Sequence, residues 1–450
     1  MRTRRTSRPT RIGALGAVAP VLLAGVLLTA CGDDGSADGT NSGTETESAS
    51  ETDEATANTV SASATMSSTA DTTVDPDSST DASETETDPT GSTGEPGGCG
   101  QPDAKWEAPD WDTNAADALA LRAQLDALAG GAGVMVGAEV TPATLTGLSD
   151  LTDVWEGPPS LADAASPAFA MLMTDAFQEF VDLIEAGAQE LVVDGNWEPG
   201  DSGGILGTAD RGFNEGGIEV RQIVDKGGFG GGVMYQWAVA QTAGTIEPAT
   251  IDAIAAAWGN NAALSALDPD GMSVLTDAAN YSYQMGFHAD MAAALADAKA
   301  FSADEDCGAE RDAALVTFFN LWEQSMFARA VFYGERGATT LVTAATATEY
   351  ASVLHDLGEG FGVIIGFYGI TTPDAGPLAG GARIVTDAQV LEALAAYGVD
   401  YGALGSSTTG LLLESLPDFE TANEALEAVV MDVYGIDAGA IQSYRMPTPG

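Results

Sequence analysis

From about residue 112 onward, apolar positions recur every three or four residues, the period of helices that bury one face. Asp112, Thr113 and Asn114 offer N-caps. The run 115–128 follows, with Leu119, Leu121, Leu125 and Leu128 at helical spacing, and Gly130-Gly131 ends it. Thr141 or Thr144 caps a short turn. Ser166-Pro167 opens a long amphipathic run that places Met171, Leu172, Phe177, Phe180, Val181 and Ile184 on its buried side. Pro248 opens a helix to residue 266, and Asp268-Pro269-Asp270-Gly271 reads as a turn. A further helix covers 272–301 and carries Tyr281, Tyr283, Met285 and His288. The run 309–333 is strongly apolar, with Phe318, Phe319, Trp322, Met326 and Phe327. A helix over 346–368, a Pro/Gly loop at 371–382 and three shorter helices, the last over 424–434, complete the pattern. Alternation of period two is scarce, so the predicted fold class is all-α, a large helical bundle.

The stretch 211–237, RGFNEGGIEVRQIVDKGGFGGGVMYQW, departs from this pattern. It interleaves Arg211, Arg221 and Lys226 with Glu215, Glu219 and Asp225, and it is dense in glycine. Ile218, Val220, Ile223 and Val224 give it an apolar face. One reading is a packed central helix whose internal ion pairs and glycines let neighbours approach closely. The other is a polar pocket at the glycine break.

The first thirty residues change the picture of location. Arg2, Arg4, Arg5, Arg8 and Arg11 precede an apolar segment over 13–30 that is short for a membrane span. It ends in Leu28-Thr29-Ala30-Cys31, which resembles the lipobox of bacterial lipoproteins. That resemblance implies a signal peptide over 1–30, lipid on Cys31, and an exported protein anchored in the cell envelope, facing the periplasm or the cell surface, with the outer membrane as one such location. Residues 31–104 are rich in Ser, Thr, Asp and Glu and poor in large apolar side chains. They read as a disordered acidic tether, because so little burial cannot offset the entropy of ordering. Residues 105–450 regain a globular composition and are ample for a large core. The formal net charge of −51 argues against nucleic-acid binding and against docking on anionic lipid. With Cys31 assigned to lipid, Cys99 and Cys307 are the remaining pair, and export makes a disulfide between them plausible.

Three motifs carry little. Gly200-Asp201-Ser202-Gly203-Gly204 matches the serine tetrad of chymotrypsin-like proteases, but both histidines follow it and the context is helical. Asp268–Gly271 places Ala266 where a calcium loop needs its first carboxylate. The glycines at 227–232 lack the Gly-Lys-Ser/Thr ending of a phosphate loop. His355 and Glu359 stand four apart, on one helix face, and could share a metal or a water. A His288–His355–Glu359 metal site follows if the two helices pack together; a local hydrogen bond in a half-buried interface is the other outcome.

Three segments, GIEVRQIVDKG (217–227), WEQSMFARAVFY (322–333) and HDLGEGFGVIIGF (355–367), resemble motifs of the bacterial lipoprotein family called domain of unknown function 4856, itself similar in organisation to imelysin-like helical proteins. The family's serine is Gly358 here, and its earlier His-rich motif has no counterpart. Imelysins carry GxHxxE, whereas His355 and Glu359 lie one residue further apart. The resemblance implies a duplicated all-helical bundle at the envelope. Two functional expectations stand beside a purely structural surface protein, which would lack any polar pocket. One is a non-enzymatic lipoprotein binding a ligand, a cation or an envelope partner in a cleft near Glu215, Glu219, Arg221, Lys226, His355 and Glu359. The other is an imelysin-like metal-dependent hydrolase, or an iron-uptake-related protein, that uses a divalent metal or iron on His355 and Glu359, with Glu219 or His288 completing the site.

Overall fold

The structure is a computed structural model; it describes residues 99, 105–137, 151–174, 204–206, 211–213, 216–268, 270–379, 385–406 and 419–449. The expected signal segment, lipobox with Cys31 and tether (apart from Cys99) lie outside the described residues, as do Thr141, Thr144, Ser202, Glu215, Phe177, Phe180, Val181 and Ile184. The described residues from 99 onward form an all-α helical bundle in one compact unit.

Its axis is the 34-residue helix α11 (Gly308–Leu341). Leu315, Phe318, Phe319, Trp322, Met326 and Phe327 are fully buried along it, because the three- and four-residue spacing gives one continuous apolar stripe. Two long helices pack on it most extensively, α10 (His288–Ser302) before it and α12 (Ala347–Ile365) after it. The short connection at 342–346 turns α12 back along α11 as a helical hairpin. Thr346 starts α12 with a capping box: its hydroxyl accepts from the Glu349 amide, and the Glu349 carboxylate accepts from the Thr346 amide at 2.8 Å. Around this core lie α1 (Trp111–Asn114), α2 (Ala116–Gly137), α3 (Leu151–Glu156), α4 (Leu161–Ala164), α5 (167–174), α6 (Val220–Gly227), α7 (Met234–Gln241), α8 (Pro248–Trp258) and α9 (Asp277–Gln284). The chain closes with α13 (Asp387–Ala396), α14 (Phe419–Tyr434) and α15 (Ala438–Arg445).

The stretch 211–237 is more than one helix. Arg211–Phe213 forms strand β2, paired antiparallel with β1 (Gly204–Leu206), a small ribbon beside the bundle. After the left-handed Gly217 (φ 76°), α6 begins at Val220 and passes through a π-turn, Gly228–Gly232, into α7. Here glycine is required by close approach. A Cβ on Gly366 of the α12 end would stand 2.2 Å from the Gly232 amide nitrogen and 2.3 Å from the Gly227 carbonyl oxygen. One on Gly362 would stand 2.8 Å from the Gln222 carbonyl oxygen. The backbones of α6 and α12 therefore touch, as the packed-helix reading of this stretch requires.

Several boundaries differ from the periodicity. α2 runs through Gly130-Gly131 to Gly137 instead of stopping at them. The helix opened by Pro248 ends at Trp258, where left-handed Gly259 (φ 103°) caps it, well short of residue 266. The helix expected over 272–301 is two, broken at Met285-Gly286-Phe287 with Gly286 at φ 81°. Met171, expected inside, is 72% exposed, and Phe169, Leu172 and Met173 take the core face of α5. A last helix, α15, follows the one expected to be final.

Candidate functional site

The polar residues that the core does not absorb collect where α6 meets α12. Glu219 is the N-cap position of α6, yet its side chain makes no cap; it is fully buried and turned toward His355. Glu219 Oε2 lies 2.6 Å from His355 Nδ1, and Gln222 Nε2 lies 3.2 Å from the same nitrogen. The other imidazole nitrogen, Nε2, stands 3.7 Å from Glu359 Oε2, one helical turn along α12. Glu359 Oε1 in turn lies 3.5 Å from Lys226 Nζ, which is also 3.4 Å from Asp225 Oδ2 and 5.3 Å from the centre of the Tyr281 ring. Gly358 makes the contact possible, since a Cβ there would meet Gln222 Cγ at 3.3 Å.

α11 closes the cluster from the third side. Arg329, 2% exposed, donates to the Tyr333 hydroxyl at 2.8 Å and lies over the rings of Tyr333, Phe332 and Tyr281 at 4.3, 4.4 and 5.2 Å. The electrostatics follow from this crowding. Burial alone would lower the Lys226 pKa, but Asp225, Tyr281 and Glu359 reverse that and raise it well above the usual lysine range. Burial would raise Glu359, yet the charges of Lys226, His355 and Arg329 and a Tyr333 hydrogen bond hold it below the usual carboxylate value. Burial pushes the Tyr281 and Tyr333 hydroxyls upward, so both stay protonated donors. Lys226, Arg329 and His355 face Glu219, Asp225 and Glu359, so the cluster sets three basic against three acidic side chains. The cluster is not sealed, since the side chains of Lys226, His355 and Glu359 keep 16%, 13% and 11% of their surface exposed.

A second polar centre adjoins it. Arg122 of α2 pairs with Asp277 and Thr276 and lies over the Phe229 ring. Burial pushes the Asp277 carboxyl up to about 6 despite Arg122, with Asp126 and Asp225 adding to the rise and Lys226 opposing it. Asp277 also holds a left-handed backbone, φ 46°, which for a non-glycine residue stores strain.

Four of the six residues expected near a cleft therefore come together: Glu219, Lys226, His355 and Glu359. Glu215 lies outside the described residues, as does the side chain of Arg221. The expected His288–His355–Glu359 metal site does not form. His288 opens α10, stacks on Trp258, and its Nε2 takes a hydrogen bond from Asn260 Nδ2 at 2.9 Å. The Asn260 amide is oriented by its own oxygen, which accepts from the Asn261 amide at 2.8 Å, so His288 Nε2 faces a donor and must carry a lone pair. Burial lowers its pKa to about 4, in keeping with a neutral ring. Among the described residues no group of three His, Cys, Asp or Glu side chains is arranged to hold a metal ion.

Tyr281, Gln222, Arg329 and Tyr333 complete the cluster without having been singled out as site residues. Arg329 had a signal: a guanidinium inside the apolar run 318–333 has to be buried with partners. The remaining pair of cysteines, Cys99 and Cys307, is joined as a disulfide with Cα atoms 5.6 Å apart. No helix among the described residues is long and apolar enough to cross a membrane. No protein-family model, curated protein or solved structure matches the chain.

Proposed function

We propose that the chain is a lipid-anchored envelope protein, attached through Cys31, whose helical domain binds a small cationic ligand at the α6–α12 cluster. The observation that carries this reading is the gathering of carboxylates at that cluster: Glu219, Asp225 and Glu359 surround Lys226 and His355, and the side chains of Lys226, His355 and Glu359 stay partly exposed. A partly exposed set of carboxylates suits an ammonium group better than an anion. The strong negative charge of the whole chain concentrates cations around it. The three segments that resemble the domain of unknown function 4856 supply Glu219, Lys226, Arg329, Tyr333, His355 and Glu359 to the cluster. Nucleic acid is not a partner in this reading, and no catalytic step is assigned.

Two experiments test it. Metabolic labelling with radioactive palmitate should mark the wild-type chain and not Cys31→Ser; equal labelling or none in both would remove the anchor. Thermal melts of the full chain with putrescine, choline or L-lysine should show stabilisation by one of these in the wild type and its loss in Glu359→Gln. A ligand at a hundred times its Kd adds about 2.7 kcal/mol. Melts unmoved by all three would leave the cluster a purely structural ion network.

A further inference from the structure

The chain just after the disulfide is fastened to the bundle at a second station. Trp106 Nε1 donates to the Ala262 carbonyl at 2.9 Å. Lys299 of α10 donates to the Glu107 carbonyl at 2.6 Å, pairs with Asp252 of α8, and sits 4.4 Å from the Trp106 ring centre. Asn114 of α1 donates to the other Asp252 oxygen at 2.9 Å. Asp252 and Lys299 are buried by this arrangement, with side-chain exposures of 2% and 14%. Residues 105–110 thus lie as a strap across α8 and α10. The disulfide lies at one end, where Cys307 immediately precedes α11, and the buried Trp111 at the other.

We propose that the Cys99–Cys307 disulfide is a thiol-sensitive clasp that holds this strap, so that reduction releases the strap while the bundle stays folded. Cys99 is half-buried and Cys307 is 6% exposed, so an incoming dithiol reaches the Cys99 sulfur first. Its thiolate attacks Sγ of Cys99, forms a mixed disulfide and expels Cys307 as a thiolate, which takes up a proton. The second thiol of the reductant then closes its own disulfide and frees Cys99. Two electrons and two protons enter the protein, and the dithiol leaves oxidised. The strap by itself is held by one indole hydrogen bond, the Lys299 contacts and the packing of Trp106 and Ala108 against the core, a small noncovalent anchor beside the covalent one. Freeing residues 105–110 moves the attachment of the preceding chain toward α1 and adds about 20 Å of reach, at roughly 3.3–3.6 Å per residue. That the added reach adjusts the distance from a membrane rests on the anchored reading above; the clasp itself does not.

Trypsin tests the clasp directly, because Lys105 is exposed and is the first basic residue after Arg11. The next, Arg122, is buried and paired with Asp277. The full chain is digested with and without dithiothreitol, with thiol counting to confirm reduction, and fragments are read by mass. Cleavage after Lys105 should accelerate at least tenfold on reduction, while the bonds after Arg122 and Arg311 change less than twofold. Cys99→Ser should behave like the reduced wild type; if that variant fails to fold, the reduced wild-type protein carries the test alone. Full reduction without faster cleavage at Lys105 would overturn the clasp. Equal acceleration at Lys105, Arg122 and Arg311 would overturn it too, since the disulfide would then hold the whole fold.

Discussion

Replacing His288 by glutamine should make the protein more resistant to acid, although it removes a buried aromatic contact. His288 Nε2 accepts from Asn260 Nδ2, and burial holds its pKa at about 4 instead of 6.5. A base depressed in the folded state keeps its stability above the unfolded pKa and loses it as pH falls through the folded one. From these two values His288 costs the fold about 1 kcal/mol at pH 5.5 and about 3 kcal/mol at pH 4, relative to pH 7 and above. Asp277 works in the opposite sense. Its carboxyl is raised from 3.8 to about 6, so the folded state binds a proton first and is penalised where the group is ionised. Acidification relieves that penalty by about 1 kcal/mol at pH 5.5 and about 2 kcal/mol at pH 4. The two groups nearly cancel in the wild type, and each substitution unmasks the other. Urea unfolding at pH 7, 5.5 and 4 measures the difference between wild type and His288→Gln, in which all other carboxylates drop out. The glutamine amide oxygen can accept from Asn260, so any loss of packing is a constant offset. The difference should shift in favour of the variant by about 3 kcal/mol between pH 7 and pH 4. A difference independent of pH would refute the buried, neutral His288.

Asp277→Asn should show the converse, losing stability relative to wild type as pH falls from 7 to 4, read by the same urea series. Lys226→Met strands Glu359 and Asp225 and should cost about 3–5 kcal/mol, whereas the double variant Lys226→Met/Glu359→Leu should recover much of it in a denaturation cycle. Gly366→Ala forces α12 off the π-turn, because the new Cβ meets the Gly232 amide at 2.2 Å, and should cost about 1–3 kcal/mol by denaturation. Thr346→Ala removes one half of the α12 capping box and should cost about 1 kcal/mol, seen as a lower melting temperature.

What the sequence made legible follows from periodicity. The stripe from Phe318 to Phe327 announces α11, and Thr346 with Glu349 announces the start of α12. Breaks were harder, because a left-handed glycine such as Gly259 or Gly286 ends a helix while Gly130-Gly131 does not, and the difference lies in tertiary context. The candidate cluster was half legible. His355 and Glu359 share a helix face by spacing, and Glu219 and Lys226 share a stretch where charge and glycine coincide. That the two stretches meet depends on the backbone contact at Gly362 and Gly366, which no local pattern encodes. His288 was drawn into the wrong site because spacing cannot say that Asn260 and Trp258 already satisfy it.

Titration calorimetry of the full chain with putrescine, choline and L-lysine decides whether the α6–α12 cluster holds the cationic ligand we propose. Saturable one-site binding is expected for at least one of them, weakened tenfold or more in Glu359→Gln, a loss of about 1.4 kcal/mol. No saturable heat with any of the three, or the same affinity in wild type and Glu359→Gln, would overturn the proposal.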